Sequence, residues 1–216
     1  MPLIVSEIFH SIQGEGSRAG LPCLFIRLQG CGLRCRWCDT PYALDFGGGT
    51  EMDEEELLAQ AAESGSRFIE LTGGEPLEQP AVFPLLSLLC NDGYTVAVET
   101  GGHVDISRVD PRVILIMDVK CPGSGMGKRN FLANLDYLKP TDELKFVLVD
   151  RADYEWARDF VRNRELSAIC REIIFSPVFG RLDNRALAEW ILKDKLPVRM
   201  QLQMHKYIWE PDARGV

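Results

Sequence analysis

The sequence predicts a single α/β domain of the parallel-barrel kind, and three observations carry that reading. Apolar runs of strand length alternate with segments of helical periodicity along the chain, a pattern that pairs strands in parallel through right-handed crossovers. Gly74, Glu75, Glu99, Asp118, Lys120, Ser176 and His205 each stand just after an apolar run, and parallel barrels gather ligand-handling groups at the C-terminal ends of their strands. A run of three cysteines follows a strand as well. Any single strand end tends to be polar; the coincidence of so many with the cysteine run points to one site.

An apolar run, Leu3–Phe9, ends at Gln13-Gly14-Glu15-Gly16, and a second, Cys23–Leu28, feeds the cysteine loop. Thr50 and Asp53 frame a capping-box start for an acidic helix over Met52–Glu63. Phe68–Leu71 reads as a short strand before Thr72-Gly73-Gly74-Glu75-Pro76, and leucines at helical spacing over Ala81–Leu89 stop at Asn91-Asp92-Gly93. Buried strands over Thr95–Val98 and Val113–Met117 end in Glu99-Thr100 and in Asp118-Val119-Lys120. Helix Phe131–Leu138, strand Leu144–Val149, helix Tyr154–Val161, strand Glu172–Phe175 and helix Ala186–Leu192 follow, and a strand over Val198–Met204 delivers His205. Gly47-Gly48-Gly49 reads as a flexible loop inside the domain.

Composition narrows the function. At 216 residues and 46% hydrophobic, the chain can bury one substantial core, so residues 1–216 are expected to form one domain. Seven cysteines, an odd number with one tight cluster, argue for a reducing, cytoplasmic setting. The first residues have neither the basic start nor the long apolar stretch of a signal peptide or membrane span. A net charge of −8 without a basic block argues against nucleic acid and for a small-molecule substrate.

The cysteines are the most specific feature. Cys31, Cys35 and Cys38 offer three thiolates from one loop. A structural zinc closes a tetrahedron of four ligands, whereas an iron–sulfur cube held by three cysteines leaves one iron open to a non-protein ligand. Cys23, Cys90 and Cys170 lie in apolar patterns and read as small buried hydrophobes. Cys121 is the one further candidate ligand, so a zinc or ferredoxin-like site closed by it stands as the alternative.

This cysteine spacing, followed by Gly73-Gly74-Glu75, resembles the radical S-adenosylmethionine superfamily. The likeness narrows at Gln13-Gly14-Glu15-Gly16, Arg27, Cys38-Asp39-Thr40, Thr72, Glu99-Thr100 and Gln203-Met204-His205-Lys206-Tyr207, which together resemble the 7-carboxy-7-deazaguanine synthase family of queuosine-precursor biosynthesis. The resemblance spans residues 7–211. It implies an incomplete (β/α) barrel of the radical S-adenosylmethionine type with a 4Fe–4S cluster, S-adenosylmethionine and Mg²⁺. It implies a carbon–nitrogen lyase that contracts the ring of 6-carboxy-5,6,7,8-tetrahydropterin and releases ammonia, with no dedicated catalytic side chain. A homodimer and an electron donor such as a flavodoxin are expected. A related activity, radical activation of a protein glycine, is the enzymatic alternative.

The resemblance also implies roles for residues. Cys31, Cys35 and Cys38 would hold the cluster and Thr40 the Mg²⁺. Trp37, Cys38, Asp39, Gly74, Glu75, Asp118, Val119, Lys120, Ser176, Pro177, Val178 and Phe179 would meet the cosubstrate. Ile12, Gln13, Gly14, Glu15, Arg27, Thr72, Glu99, His205 and Pro211 would meet the pterin. Arg27 is alone in an apolar strand, and a guanidinium matches a carboxylate with two parallel hydrogen bonds. His10 and His103 read as structural. Some relatives end at the proline matched by Pro211, with a terminal carboxylate on the pterin. Here Asp212-Ala213-Arg214-Gly215-Val216 follow, so an acidic side chain, Glu210 or Asp212, is expected in its place and the tail itself outside the pocket.

Overall fold

Every apolar run found in the sequence becomes a strand of one sheet. The computed structural model describes residues 1–170 and 172–216. Its elements are β1 (Leu3–Ile12), β2 (Pro22–Leu28), β3 (Thr50–Met52), α1 (Glu54–Ser64), β4 (Phe68–Gly73), α2 (Val82–Asn91), β5 (Thr95–Thr100), β6 (Ile114–Asp118), β7 (Glu143–Leu148), α3 (Arg151–Asn163), β8 (Glu172–Pro177), α4 (Asn184–Asp194), β9 (Arg199–Met200) and the short α5 (His205–Ile208). The strand order is β3-β1-β2-β4-β5-β6-β7-β8-β9, an open sheet and hence an incomplete barrel. From β2 onward each neighbour is parallel.

Several expectations need correction. β1 pairs antiparallel with both β2 and β3, because no helix separates β1 from β2 and a short loop can return the chain only in the opposite sense. Asp53 caps α1 alone: its side chain accepts from Glu56 N while Glu56 answers Asp53 N, so Thr50–Met52 is an edge strand and not the helix start. Residues 132–137 form a 3₁₀ helix rather than an α-helix. Phe131, Leu132 and Tyr137 stay exposed there, so no apolar stripe is buried to sustain a longer helix. The strand expected over Val198–Met204 shrinks to Arg199–Met200. The Gln201 amide instead bonds the backbone of Gly16 from both ends, accepting from its N–H and donating to its carbonyl, and His205 begins α5.

Alternation along the strands separates two environments. Leu24, Ile26 and Leu28 of β2, Ile69 and Leu71 of β4, Val96 and Val98 of β5, Leu115 and Met117 of β6, and Leu144, Phe146 and Leu148 of β7 join one core with the buried faces of α1 to α4. Each such side chain removed from water contributes roughly 1.5–3 kcal/mol. The intervening residues form a second, smaller cluster of Cys23, Phe25, Phe68, Ala97, Ile114 and Ile116 with Phe9 packed on it. On the same inner face, toward the C-terminal ends, stand Arg27, Glu70, Thr72, Glu99, Asp118 and Lys145.

Candidate active site

A cavity of about 520 Å³ opens at the C-terminal ends of the strands, and the cysteine loop forms one of its walls. Cys31, Cys35 and Cys38 line it with Trp37, Asp39, Thr40, Gly74, Asp118, Val119, Lys120, Val178 and Phe179. Ile12, Gln13, Gly14, Glu15, Arg27, Thr72, Glu99, His205 and Pro211 line the same space. Most of the residues expected at the cluster, the cosubstrate and the pterin thus share one chamber.

A chain of polar contacts crosses the inner face from strand to strand. Arg27 Nε donates to Glu7 Oε1 at 2.8 Å, and Arg27 stands in register with Thr72 on the next strand. Thr72 Oγ1 donates to Glu99 Oε2 at 3.4 Å, and Lys145 Nζ reaches Glu99 Oε1 at 3.4 Å and Glu15 Oε2 at 2.9 Å. Gln203 Nε2 donates to Glu15 Oε1 at 2.9 Å and to Asp39 Oδ2 at 3.2 Å, joining the Glu15 wall to the cysteine loop. Gln13 Nε2 donates to Glu70 Oε2. His205 presses on Gly14, where a Cβ would come within 2.3 Å of its Nδ1, so only glycine lets the two segments meet. Phe9 and Phe25 stack at 4.9 Å below Arg27 and give the chamber a flat apolar floor.

Crowding of carboxylates around one lysine splits their proton affinities. Burial opposes the charge on Glu15, yet Lys145, His205 and Gln203 bring it down to about 2. Burial raises Glu99 to about 7 despite Lys145, with Glu15 and Asp118 adding repulsion. Burial and then Glu99 raise Glu70 well above the usual carboxylate range. Burial works against the charge of Lys145, but Asp118, Glu15 and Glu99 overcome it and hold the ammonium. Burial lowers His205. At neutral pH the wall therefore offers an ionised acceptor at Glu15, beside Glu99 and Glu70, whose charged forms burial disfavours.

The other wall is built on close backbone contact. A Cβ on Gly74 would lie 2.0 Å from the Gly30 carbonyl oxygen, so the glycine loop after β4 packs directly under the cysteine loop. Leu33 N–H donates to Cys31 Sγ at 3.4 Å, and Arg34 Nη1 donates to the carbonyls of Cys31 and Leu33. Burial raises the Cys31 thiol to about 11 and Cys35 in the same direction. Thr40 Oγ1 lies 3.8 Å from Cys38 Sγ and 3.5 Å from the Gly73 carbonyl. Lys120 Nζ donates to Asp118 Oδ2 at 2.6 Å, while Asp118 Oδ1 is buried without a hydrogen-bond partner among the described residues.

Some expected site residues are placed elsewhere. Glu75 is fully buried outside the cavity, where it accepts from Leu77 N, Thr100 Oγ1 and Gly101 N and lies 3.5 Å from His103 Nδ1. It braces the loop, and His103, held also by Glu78 at 2.9 Å, is structural as expected. Ser176 and Pro177 end β8 below the cavity, with Ser176 Oγ donating to the Gln201 carbonyl. The tail after Pro211, expected outside, folds back so that Asp212, Ala213, Gly215 and Val216 line the cavity; Glu210 does not. Sequence reasoning missed Glu7, Tyr42, Glu70 and Lys145, which all line it. The signal for Glu70 and Lys145 was present: each is a charge at an alternate position of a strand otherwise buried on both faces, where only an interior ligand site accommodates it.

Residues 25–117 match the Radical SAM superfamily. A protein of Chlorobaculum tepidum named 7-carboxy-7-deazaguanine synthase is 51% identical over this whole chain and 98% of its own length. This chain belongs to the 7-carboxy-7-deazaguanine synthase family. The Thermoplasma acidophilum family member is 39% identical over 99% of this chain and all of its own. Among solved structures, that of QueE from Escherichia coli superposes with a TM-score of 0.73 at 25% identity over 95% of each chain. Streptococcus suis SuiB bound to precursor peptide SuiA reaches 0.61 at 14% identity over 81% of this chain, a likeness of fold alone.

Family membership implies a 4Fe–4S cluster and S-adenosylmethionine, and the residues fit both. Three free thiols share one chamber with a buried oxygen on Asp118 that accepts no hydrogen bond among the described residues and has Lys145 Nζ 3.8 Å away, an acceptor that suits a cosubstrate hydroxyl. Among the described residues no three His, Cys, Asp or Glu side chains gather tightly enough to close on a single ion. Cys121 borders the cavity too, but it is nearly fully buried in the outer core with its thiol toward the Val119 carbonyl at 3.8 Å. The zinc alternative closed by Cys121 does not have the family behind it.

Proposed function

We propose that this chain converts 6-carboxy-5,6,7,8-tetrahydropterin to 7-carboxy-7-deazaguanine with loss of ammonia. It works in the cytoplasm as a homodimer, with Mg²⁺ and an electron donor such as a flavodoxin. The single observation that carries this is the meeting of the three-thiol loop and a charged inner sheet face in one chamber. Cys31, Cys35 and Cys38 would hold the cluster, with Gly74, Asp118, Lys120, Val178 and Phe179 about the cosubstrate. Bound there, the cluster and the cosubstrate would supply hydrogen-atom abstraction.

The chain's own residues orient what is acted upon. Glu15, held ionised by Lys145, accepts hydrogen bonds from the guanidine-like edge of the pterin, and Gln13, Thr72, Glu99 and His205 complete that wall. The Phe9–Phe25 floor supports the ring, and Arg27 receives the carboxylate. Thr40 supplies one oxygen to Mg²⁺, which keeps most of its shell as water and needs few protein ligands. An anaerobic assay of cluster-reconstituted protein with the carboxypterin, read by mass, tests this. Expected is a product lighter by one ammonia, with S-adenosylmethionine used catalytically. Protein that cleaves S-adenosylmethionine yet leaves the pterin intact would contradict it.

A further inference from the structure

Arg27 does not face the cavity as a free cation. Its Nε is paired with Glu7 Oε1 at 2.8 Å, and the Tyr42 hydroxyl donates to the same oxygen at 2.7 Å. Glu7 therefore cancels the charge of the guanidinium assigned to the substrate carboxylate, and an anion approaching that pair alone meets no net attraction. A second cation comes from the tail. Arg214 lays its guanidinium on the Tyr42 ring, Cζ 3.7 Å from the centroid, with Nε 4.0 Å from Glu7 Oε2. That distance is beyond hydrogen-bond reach, so its donors are not committed to Glu7. Stacking on an aromatic face holds a guanidinium in place while its edge stays available to a planar anion. Asp212, Ala213 and Gly215, on either side of it, border the cavity. Around Glu7, two guanidinium groups stand against one carboxylate; Asp212 borders the cavity beside Arg214, and Lys145 gathers Glu15, Glu99 and Asp118 farther along the sheet.

We propose that Arg214, carried on the tail and seated on Tyr42, is a specificity-determining residue that supplies the net charge for a substrate bearing a single carboxylate. This rests on the pterin reading above and adds to it the residue that restores what Glu7 removes from Arg27. Tyr42 is then a positioning residue, since it touches Glu7 and Arg214 and orients both.

The test compares wild type, Arg214→Ala and Arg214→Lys on the carboxypterin and on the same tetrahydropterin without its 6-carboxylate. Arg214→Ala raises KM for the carboxypterin about tenfold, the size of one charge-assisted contact at a partly wet rim, with kcat within about twofold. Its KM also loses part of its salt dependence. Arg214→Lys keeps the charge but not the planar fork and falls between the two. As a readout apart from turnover, the carboxypterin slows tryptic cleavage at the Arg214–Gly215 bond of wild type, and the decarboxylated analogue does not. A parent KM and salt response in Arg214→Ala, while wild type turns over the carboxypterin, would overturn this inference alone. Wild type that binds neither pterin would overturn the functional reading with it.

Discussion

The two faces of the same strands carry different chemistry. On the outer face Leu24, Ile26, Leu71, Val98, Leu115 and Leu144 continue one apolar core to the strand ends. On the inner face the apolar floor stops at Phe25, Ala97 and Ile116, and the next inward positions are Arg27, Glu99 and Asp118. Adjacent residues therefore answer to different pressures: Ile26, Leu71, Val98 and Leu144 hold the fold, whereas Arg27, Thr72, Glu99 and Lys145 shape the ligand space. Charges sheltered this well survive because they partner one another. The comparison teaches that a site can be written into a sheet by changing every second residue over its last turn of pleat.

The largest expected effect separates the cysteines by region. Changing Cys31, Cys35 or Cys38 to Ala should remove the iron–sulfur chromophore and all turnover. Cys121→Ala should keep both and lose only packing, on the order of 1 kcal/mol. Loss of iron from the Cys121 variant, measured by absorbance and iron content, would place that residue on the wrong side of the comparison.

Next come neighbours on β7. Lys145→Met leaves Glu15, Glu99 and Asp118 without their shared cation, and breaking a buried ionic group this way costs about 3–5 kcal/mol. Leu144→Ala should cost about 2–5 kcal/mol through its cavity. Denaturation should find the two comparably destabilised, and kcat/KM per folded molecule should fall steeply only in Lys145→Met. Equal kcat/KM in both would erase the distinction between faces.

A smaller effect concerns pH. Burial lifts Glu99 to about 7 in the folded chain, against an ordinary 4.5. A raised carboxyl pKa contributes stability below about 4.5 that is lost as pH climbs through about 7. Glu15, at about 2, is ionised throughout that window and adds no slope there. Glu99→Gln should therefore gain about 1–3 kcal/mol relative to wild type between pH 5 and pH 8. Urea melts at the two pH values measure this; parallel losses in both proteins would mean that Glu99 titrates normally.

Much of this was legible beforehand for physical reasons. The cysteine loop and the glycines of Gly73-Gly74 announce themselves because thiolate spacing and missing Cβ atoms have few other uses. Strands β4 to β8 were readable since parallel strands buried on both faces appear as unbroken apolar runs. The antiparallel start was not, because strand direction is set by connection length and leaves no mark inside β1. The role of Glu75 was misread because a carboxylate beside a ligand loop and one bracing it look alike in sequence; only its contacts with Leu77, Thr100 and Gly101 tell them apart. The tail was unreadable because Arg214 is placed by a ring 172 residues earlier in the chain, at Tyr42.

The most direct test sets Arg27→Ala against Ile26→Ala, neighbours on β2 that face opposite ways. Equilibrium binding of the carboxypterin and urea stability are measured on cluster-loaded protein. Arg27→Ala should weaken binding by well over tenfold while uncoupled cleavage of S-adenosylmethionine persists. Ile26→Ala should lose about 2–5 kcal/mol of stability and bind as wild type once folded. An Arg27→Ala protein with the parent's affinity would contradict the claim that the inner face at the strand ends is where the substrate is held.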